Sequence, residues 1–189
     1  WTDWDPAMPD DTGNWHSAFA LPTLWENGRH YTAIGPEFTQ HPAQHPSGVV
    51  RVLDTTNPAQ PREVAAWTLP QDSVWEDAYM FSTHYLSIVN HTMFVSMYHG
   101  GVWAVDLRGL GAQDWTNLPS VGVFLATEPS PAPPASPIRW TPAAEEALAL
   151  DDGGIVTFDS NTGIYVVRYD ESQPMPAPRP WPLEPVAPR

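Results

Sequence analysis

The sequence predicts an all-β protein: a partial or incomplete β-propeller of about three four-stranded antiparallel blades with extended Pro-rich arms. Three observations predict it. Twenty-three prolines in 189 residues are too many for a helical chain, because each interior proline breaks a helix. A strand motif recurs: VRVLD at 50–54 returns as VWAVDL at 102–107 and as IYVVRY at 164–169. Its columns begin at Val50, Val102 and Ile164, spacings of 52 and 62 residues, the range of one propeller blade plus an insertion. Finally, each copy is flanked by short apolar runs joined at Gly, Asn or Pro turns, the pattern of an antiparallel blade.

The elements follow in order. In the first unit HSAFAL (16–21) and HYTAIGPE (30–37) precede the motif and REVAAWTL (62–69) follows it. In the second, THYLSIVN (83–90) and MFVSMYHG (93–100) precede it and SVGVFLAT (120–127) follows. The third unit offers EEALALDD (145–152) and IVTFDSNT (155–162) before the motif, then gives way to proline. EEALAL has helical character, but its place in the repeat predicts a strand. The inner columns Val50/Val102/Ile164, Val52/Ala104/Val166 and Leu53/Val105/Val167 are small or apolar, as in strands buried on both faces.

These units set the domain plan: an N-terminal arm at 1–13, a repeat domain at 14–171 with units at about 14–70, 81–127 and 138–171, and a Pro-rich arm at 172–189. Proline-rich stretches are stiff and extended. Trp1, Trp4 and Trp181 sit in the arms, where large amphipathic rings favour docking on a surface over free solvation.

Charge and composition narrow the function classes. Hydrophobic residues make up 42% of a chain with ten tryptophans, which excludes wholesale disorder. Twenty-two acidic residues face eight basic ones, all arginine, for a net charge of −14. Such a surface repels phosphate backbones and argues against nucleic acid and anionic membranes. Without cysteine there is no disulfide, thiolate nucleophile or zinc–thiolate site. No apolar run reaches the roughly 18 residues of a membrane-spanning helix. The chain opens on Trp1 rather than methionine, as a processed product or part of something longer does; a removed signal peptide fits as well.

The stretch DTTNPAQPREVAAW (54–67), the unit STHYLSIVNHTMFVSMYHGGVWAVDL (82–107), the closing SNTGIYVVRYD (160–170) and NWHSAFALP (14–22) with GPE (35–37) together resemble the LVIVD-repeat proteins. In that family a strand ending in Asp leads into a proline turn. The resemblance covers roughly residues 14–171. It departs after Asp106, where LRGLGAQDW replaces the proline turn, and at Arg168, which stands where the aspartate belongs. It implies a repeat-built propeller, often exported, without a general enzymatic chemistry. Three blades do not close a ring, since propellers have typically four to eight. Exposed edges then need the arms, a partner or further blades.

Candidate ligands come from the repeat alignment. His16 and His84 begin the first strands of units one and two, and Glu146 falls in the same column of unit three. First strands line a propeller's axis, so the three side chains would converge. Two imidazoles and a carboxylate suit a divalent metal, and repeated polar residues also bond neighbouring backbone. A second column, Glu37, His99 and Asn161, ends the second strands. His41 and His45 lie in a proline loop, and LDDGG (150–154) reads as a tight hairpin turn rather than a calcium loop. Ser82 and His84 share a side of a strand, but no nucleophile elbow or oxyanion loop accompanies them. The expectation is a non-catalytic scaffold: an accessory subunit of a larger extracytoplasmic or cell-surface assembly, binding protein partners through Trp1, Trp4 and Trp181. The alternatives are a metal- or small-ligand-binding propeller using His16, His84 and Glu146, with a divalent metal as cofactor, and a hydrolase.

Overall fold

The computed structural model describes residues 14–21, 25–37, 49–70, 81–111, 118–126 and 143–172. Among them the chain is all-β, with three antiparallel sheets and no helix. The first sheet joins β1 (Asn14–Ala20), β2 (Tyr31–Glu37), β3 (Val50–Asp54) and β4 (Arg62–Trp67). The second joins β5 (Leu86–Val89), β6 (Thr92–Ser96), β7 (Val102–Asp106) and β8 (Ser120–Phe124). The third joins β9 (Ala144–Ala149), β10 (Gly154–Asp159) and β11 (Gly163–Arg168). Each strand pairs with its predecessor, so spatial order repeats chain order in every sheet. EEALAL is strand β9: packing of its alanines outweighs helical propensity. The arm at 1–13 and residues 173–189, with Trp1, Trp4 and Trp181, lie outside the described residues, as do His41 and His45.

The period-two alternation of strands explains how the sheets stack. In β7, Trp103 and Val105 point to the first sheet, while Val102 and Ala104 point to the third. β6 divides likewise: Met93 and Val95 join Val50, Val52, Ala65 and Trp67 of the first sheet, and Phe94 joins Ala144, Ala147 and Ile155 of the third. The second sheet is therefore the filling between two apolar interfaces. Trp67 and Trp103 meet across the first, with ring centroids 6.0 Å apart, and Trp67 Nε1 donates to Ser120 Oγ at 2.8 Å.

Among the described residues β9 has β10 as its one strand neighbour, and its other edge bonds to the second sheet. Tyr98 and Ala144 exchange two backbone hydrogen bonds of 2.8 Å. Ser96 Oγ donates to the Glu145 carbonyl at 2.8 Å, and Ser87 Oγ donates to the Ala147 carbonyl while accepting from the Ala149 N–H at 3.1 Å. Buried backbone groups need such partners, so these serines of β5 and β6 lock two sheets together with polar as well as apolar contacts.

The aspartate that ends the repeated strand has a local role. Asp54 Oδ1 accepts the Thr56 N–H at 3.0 Å, and Asp106 Oδ1 accepts the Arg108 N–H at 2.8 Å, the side-chain-to-backbone bond that starts an Asx turn. Each also pairs with an arginine, Arg29 and Arg108 respectively. In the third unit Arg168 occupies that place and instead donates to the Asp152 carbonyl across the LDDGG hairpin. Burial pushes the carboxyls of Asp54 and Asp106 up, but the hydrogen bonds from Thr56 and Arg108 and the two guanidiniums outweigh it, leaving both below the usual carboxylate value. A folded-state pKa below the unfolded one stabilises at pH above the unfolded value and is lost as pH falls. The urea midpoint should accordingly hold from neutral pH down to about 5 and drop below about pH 4. Asp54→Asn should flatten part of that drop; an unchanged acid limb would show that Asp54 does not couple protonation to folding.

Candidate functional site

Two features stand out among the described residues: an exposed apolar sheet face and a cluster of side chains between the first and second sheets. The face follows from the repeated strand. Val50 and Val52 are fully buried against the second sheet, and their counterparts Val102 and Ala104 are buried against the third. The next counterparts, Ile164 and Val166, are 71% and 75% exposed. Burial on both faces thus holds for β3 but not for β11, where exposure alternates. Phe158 pairs with Ile164 and Val156 with Val166, and Leu148 pairs with Val156. Leu148 is 49% and Phe158 40% exposed, so all three strands carry apolar side chains on one open face. Tyr165, on the other face, meets Phe124 of the second sheet with centroids 5.4 Å apart.

The cluster is built by a bulge and a close approach. β1 pairs with β2 through Asn14↔Glu37, Trp15↔Pro36 and Ser17↔Gly35. His16 is the extra residue between them, and a bulge re-aims the side chain it carries. Glu37 ends β2 beside it. His84 arrives on the segment before β5, which can lie against β2 because residue 35 is glycine: a Cβ there would stand 2.6 Å from Thr83 Cγ2. His16 Nδ1 lies 3.0 Å from Glu37 Oε2, His84 Nε2 lies 4.0 Å from Glu37 Oε1, and the two imidazole centroids are 4.7 Å apart. Ligand atoms from all three residues fall within 4.8 Å of one another.

Outer partners hold these groups. His84 Nδ1 lies 2.7 Å from the Glu145 carbonyl. The Tyr98 hydroxyl donates to Glu37 Oε1, and its ring packs edge-on against His84. Burial, then the hydrogen bond to Glu37 and the Glu37 charge, push the Tyr98 phenol well above its ordinary value, so it stays protonated as a donor. Tyr98 holds φ at 45° in the turn between β6 and β7.

The expected triad is thus rearranged. His16 and His84 come together, but the carboxylate beside them is Glu37 from the second column, not Glu146. Glu146 is exposed and pairs with Phe158 of the open face, because its neighbour Ala147 faces the second sheet and parity turns Glu146 away. The rest of the second column does not gather: His99 is buried in the turn after β6 and Asn161 lies in the β10–β11 hairpin. Ser82 is fully buried, its hydroxyl bonded to the Thr83 carbonyl at 3.3 Å. Among the described residues no helix is long and apolar enough to cross a membrane. No family model matches the chain, and no curated protein matches it.

Proposed function

We propose that the chain is a non-catalytic interaction module: a partial, LVIVD-like propeller of about three blades, serving as an accessory subunit of a larger extracytoplasmic assembly. The observation that carries this reading is the open face of β9, β10 and β11. Each sheet turns the same column toward its successor, Val50 and Val52, then Val102 and Ala104, then Ile164 and Val166. The first two successors are present as antiparallel sheets offering small or branched apolar residues such as Ala144, Ala147 and Ile155. Continuity of the interface supports a further antiparallel sheet with the same kind of face in the third place, supplied by a protein partner. Consecutive first strands lie beside one another, β1 by β5 and β5 by β9, the order blades take around an axis. The acidic surface, with a net charge of −14, keeps such a module from phosphate-rich partners.

Light scattering on the gently purified native particle tests the reading. A particle heavier than the 20.9 kDa of the chain, containing a second kind of chain, is expected. The pair Ile164→Asp and Val166→Asp should release the 20.9 kDa chain with its thermal stability nearly intact, since both side chains are already exposed. A native mass of 20.9 kDa, the same in wild type and variant, would defeat the proposal.

A further inference from the structure

We propose that His16, Glu37 and His84 form a binding site for a divalent first-row transition metal of the zinc type, with three protein ligands. The site shares no residue with the open face and does not depend on the docking reading. Its donor set, two imidazole nitrogens and one carboxylate, is that of zinc centres with an open fourth position and of two-histidine, one-carboxylate centres.

The hydrogen bonds around the cluster fix the His84 ring and leave its Nε2 beyond hydrogen-bond distance of Glu37. His84 Nδ1 has the Glu145 carbonyl at 2.7 Å, and a carbonyl only accepts, so Nδ1 carries the proton. In the neutral ring this leaves a lone pair on Nε2, which lies 4.0 Å from Glu37 Oε1. At that distance the two make no hydrogen bond, and Oε1 accepts instead from the Tyr98 hydroxyl. A metal ion bound by both groups uses the Nε2 lone pair together with the lone pairs that the carboxylate keeps free. His16 Nδ1, 3.0 Å from Glu37 Oε2, supplies the third ligand atom.

Dimensions and surroundings favour the ion. Bonds of about 2.0–2.1 Å in a tetrahedral site place ligand atoms roughly 3.4 Å apart. The two distances to the carboxylate, 3.0 Å and 4.0 Å, bracket that value, and all three ligand atoms lie within 4.8 Å of one another. A backbone carbonyl on the outer nitrogen of a ligating histidine is the usual means of fixing its tautomer, and ligating carboxylates are themselves hydrogen-bonded. Glu145 and Tyr98 supply both. The His16 side chain remains 35% exposed, which leaves an entry path from solvent.

The test uses the full chain after chelator treatment, titrated with Zn²⁺ by calorimetry and with Co²⁺ by visible absorption. One equivalent should bind, with release of protons and a rise in melting temperature. His84→Ala and Glu37→Gln should each weaken binding by at least about tenfold, the lower range for loss of even an outer partner. His41→Ala with His45→Ala, a pair of histidines close together in the sequence, should leave it unchanged. X-ray absorption of the zinc-loaded wild type should show two imidazoles per metal, a readout that stands even if a variant fails to fold. No saturable binding, binding that survives His16→Ala with His84→Ala, binding abolished by the His41 and His45 variants, or fewer than two imidazoles on the metal would each overturn the proposal.

Discussion

Trp67→Ala should lower stability by about 3–5 kcal/mol, the range for removing a fully buried indole. Trp67 is the last residue of β4 and has no solvent exposure. Its ring fills the interface between the first two sheets against Trp103, and its N–H reaches Ser120 across that interface. Trp67→Phe keeps most of the apolar contact and loses the hydrogen bond, so it should cost less, about 1–2 kcal/mol. The measurement is urea unfolding followed by far-ultraviolet circular dichroism, with the midpoint compared at constant slope. A double-mutant cycle with Trp103→Ala should give a coupling of about 0.5–1.5 kcal/mol for the ring pair. A loss below about 1 kcal/mol for Trp67→Ala would mean that the first sheet is not held on the second as described. The consequence reaches the His–Glu cluster: His16 and Glu37 belong to the first sheet and His84 to the approach to the second. Loosening the Trp67 contact should therefore weaken zinc binding without touching a ligand.

Much of this arrangement is readable from the residues, and the failures have a common physical source. The strands are legible because apolar runs of four to seven residues alternate with turn chemistry: Asx turns at Asp54 and Asp106, a two-residue hairpin at Asn90 with φ of 52°, the LDDGG turn. Even EEALAL reveals itself by position. The meeting of His16 with His84 follows from aligning repeats, which places equivalent residues at equivalent ends of neighbouring sheets. Glu146 misleads because alignment by column assumes constant parity. The bulge at His16 and the placement of His84 before β5 take both histidines off the regular alternation, whereas Glu146 sits within it and faces outward. Glu37 was available by another route: in an antiparallel hairpin the end of β2 returns beside the start of β1, and Glu37 pairs with Asn14. What no residue pattern reveals is that β11 would be left uncovered. Ile164 and Val166 read as core because they resemble Val50 and Val102, and burial depends on a neighbour as well as on the strand itself.

Gly101→Val should be among the most damaging single changes, because two independent penalties meet at that position. Gly101 has φ of +77°, a region in which a β-branched residue is a genuine outlier. A Cβ there would also lie 2.5 Å from the Phe124 carbonyl oxygen and against Leu125 Cδ2. The turn cannot retreat easily: Met97 N–H donates to the Gly101 carbonyl at 2.9 Å, Gly101 N–H to the Tyr98 carbonyl at 3.0 Å, and Trp103 Nε1 to the Gly100 carbonyl at 2.8 Å. Strain contributes about 1–3 kcal/mol and the forced contact about 1–3 kcal/mol more, together a large share of the roughly 5–15 kcal/mol that holds a domain folded. Gly28→Ala separates the two effects. Gly28 has a similar φ of +74° with nothing within 4 Å of its would-be Cβ, so only strain applies, about 1–2 kcal/mol. Gly101→Ala should cost clearly more than Gly28→Ala in parallel urea titrations; equal losses would mean that β8 moves aside freely and that this turn does not set the sheet edge. Because the same turn carries Tyr98 to Glu37 and bridges to Ala144, displacement of Gly101 should disturb the candidate metal ligands and the contact between the second and third sheets together. The two readings of this protein thus share one structural dependence, a glycine that touches neither the open face nor the histidines.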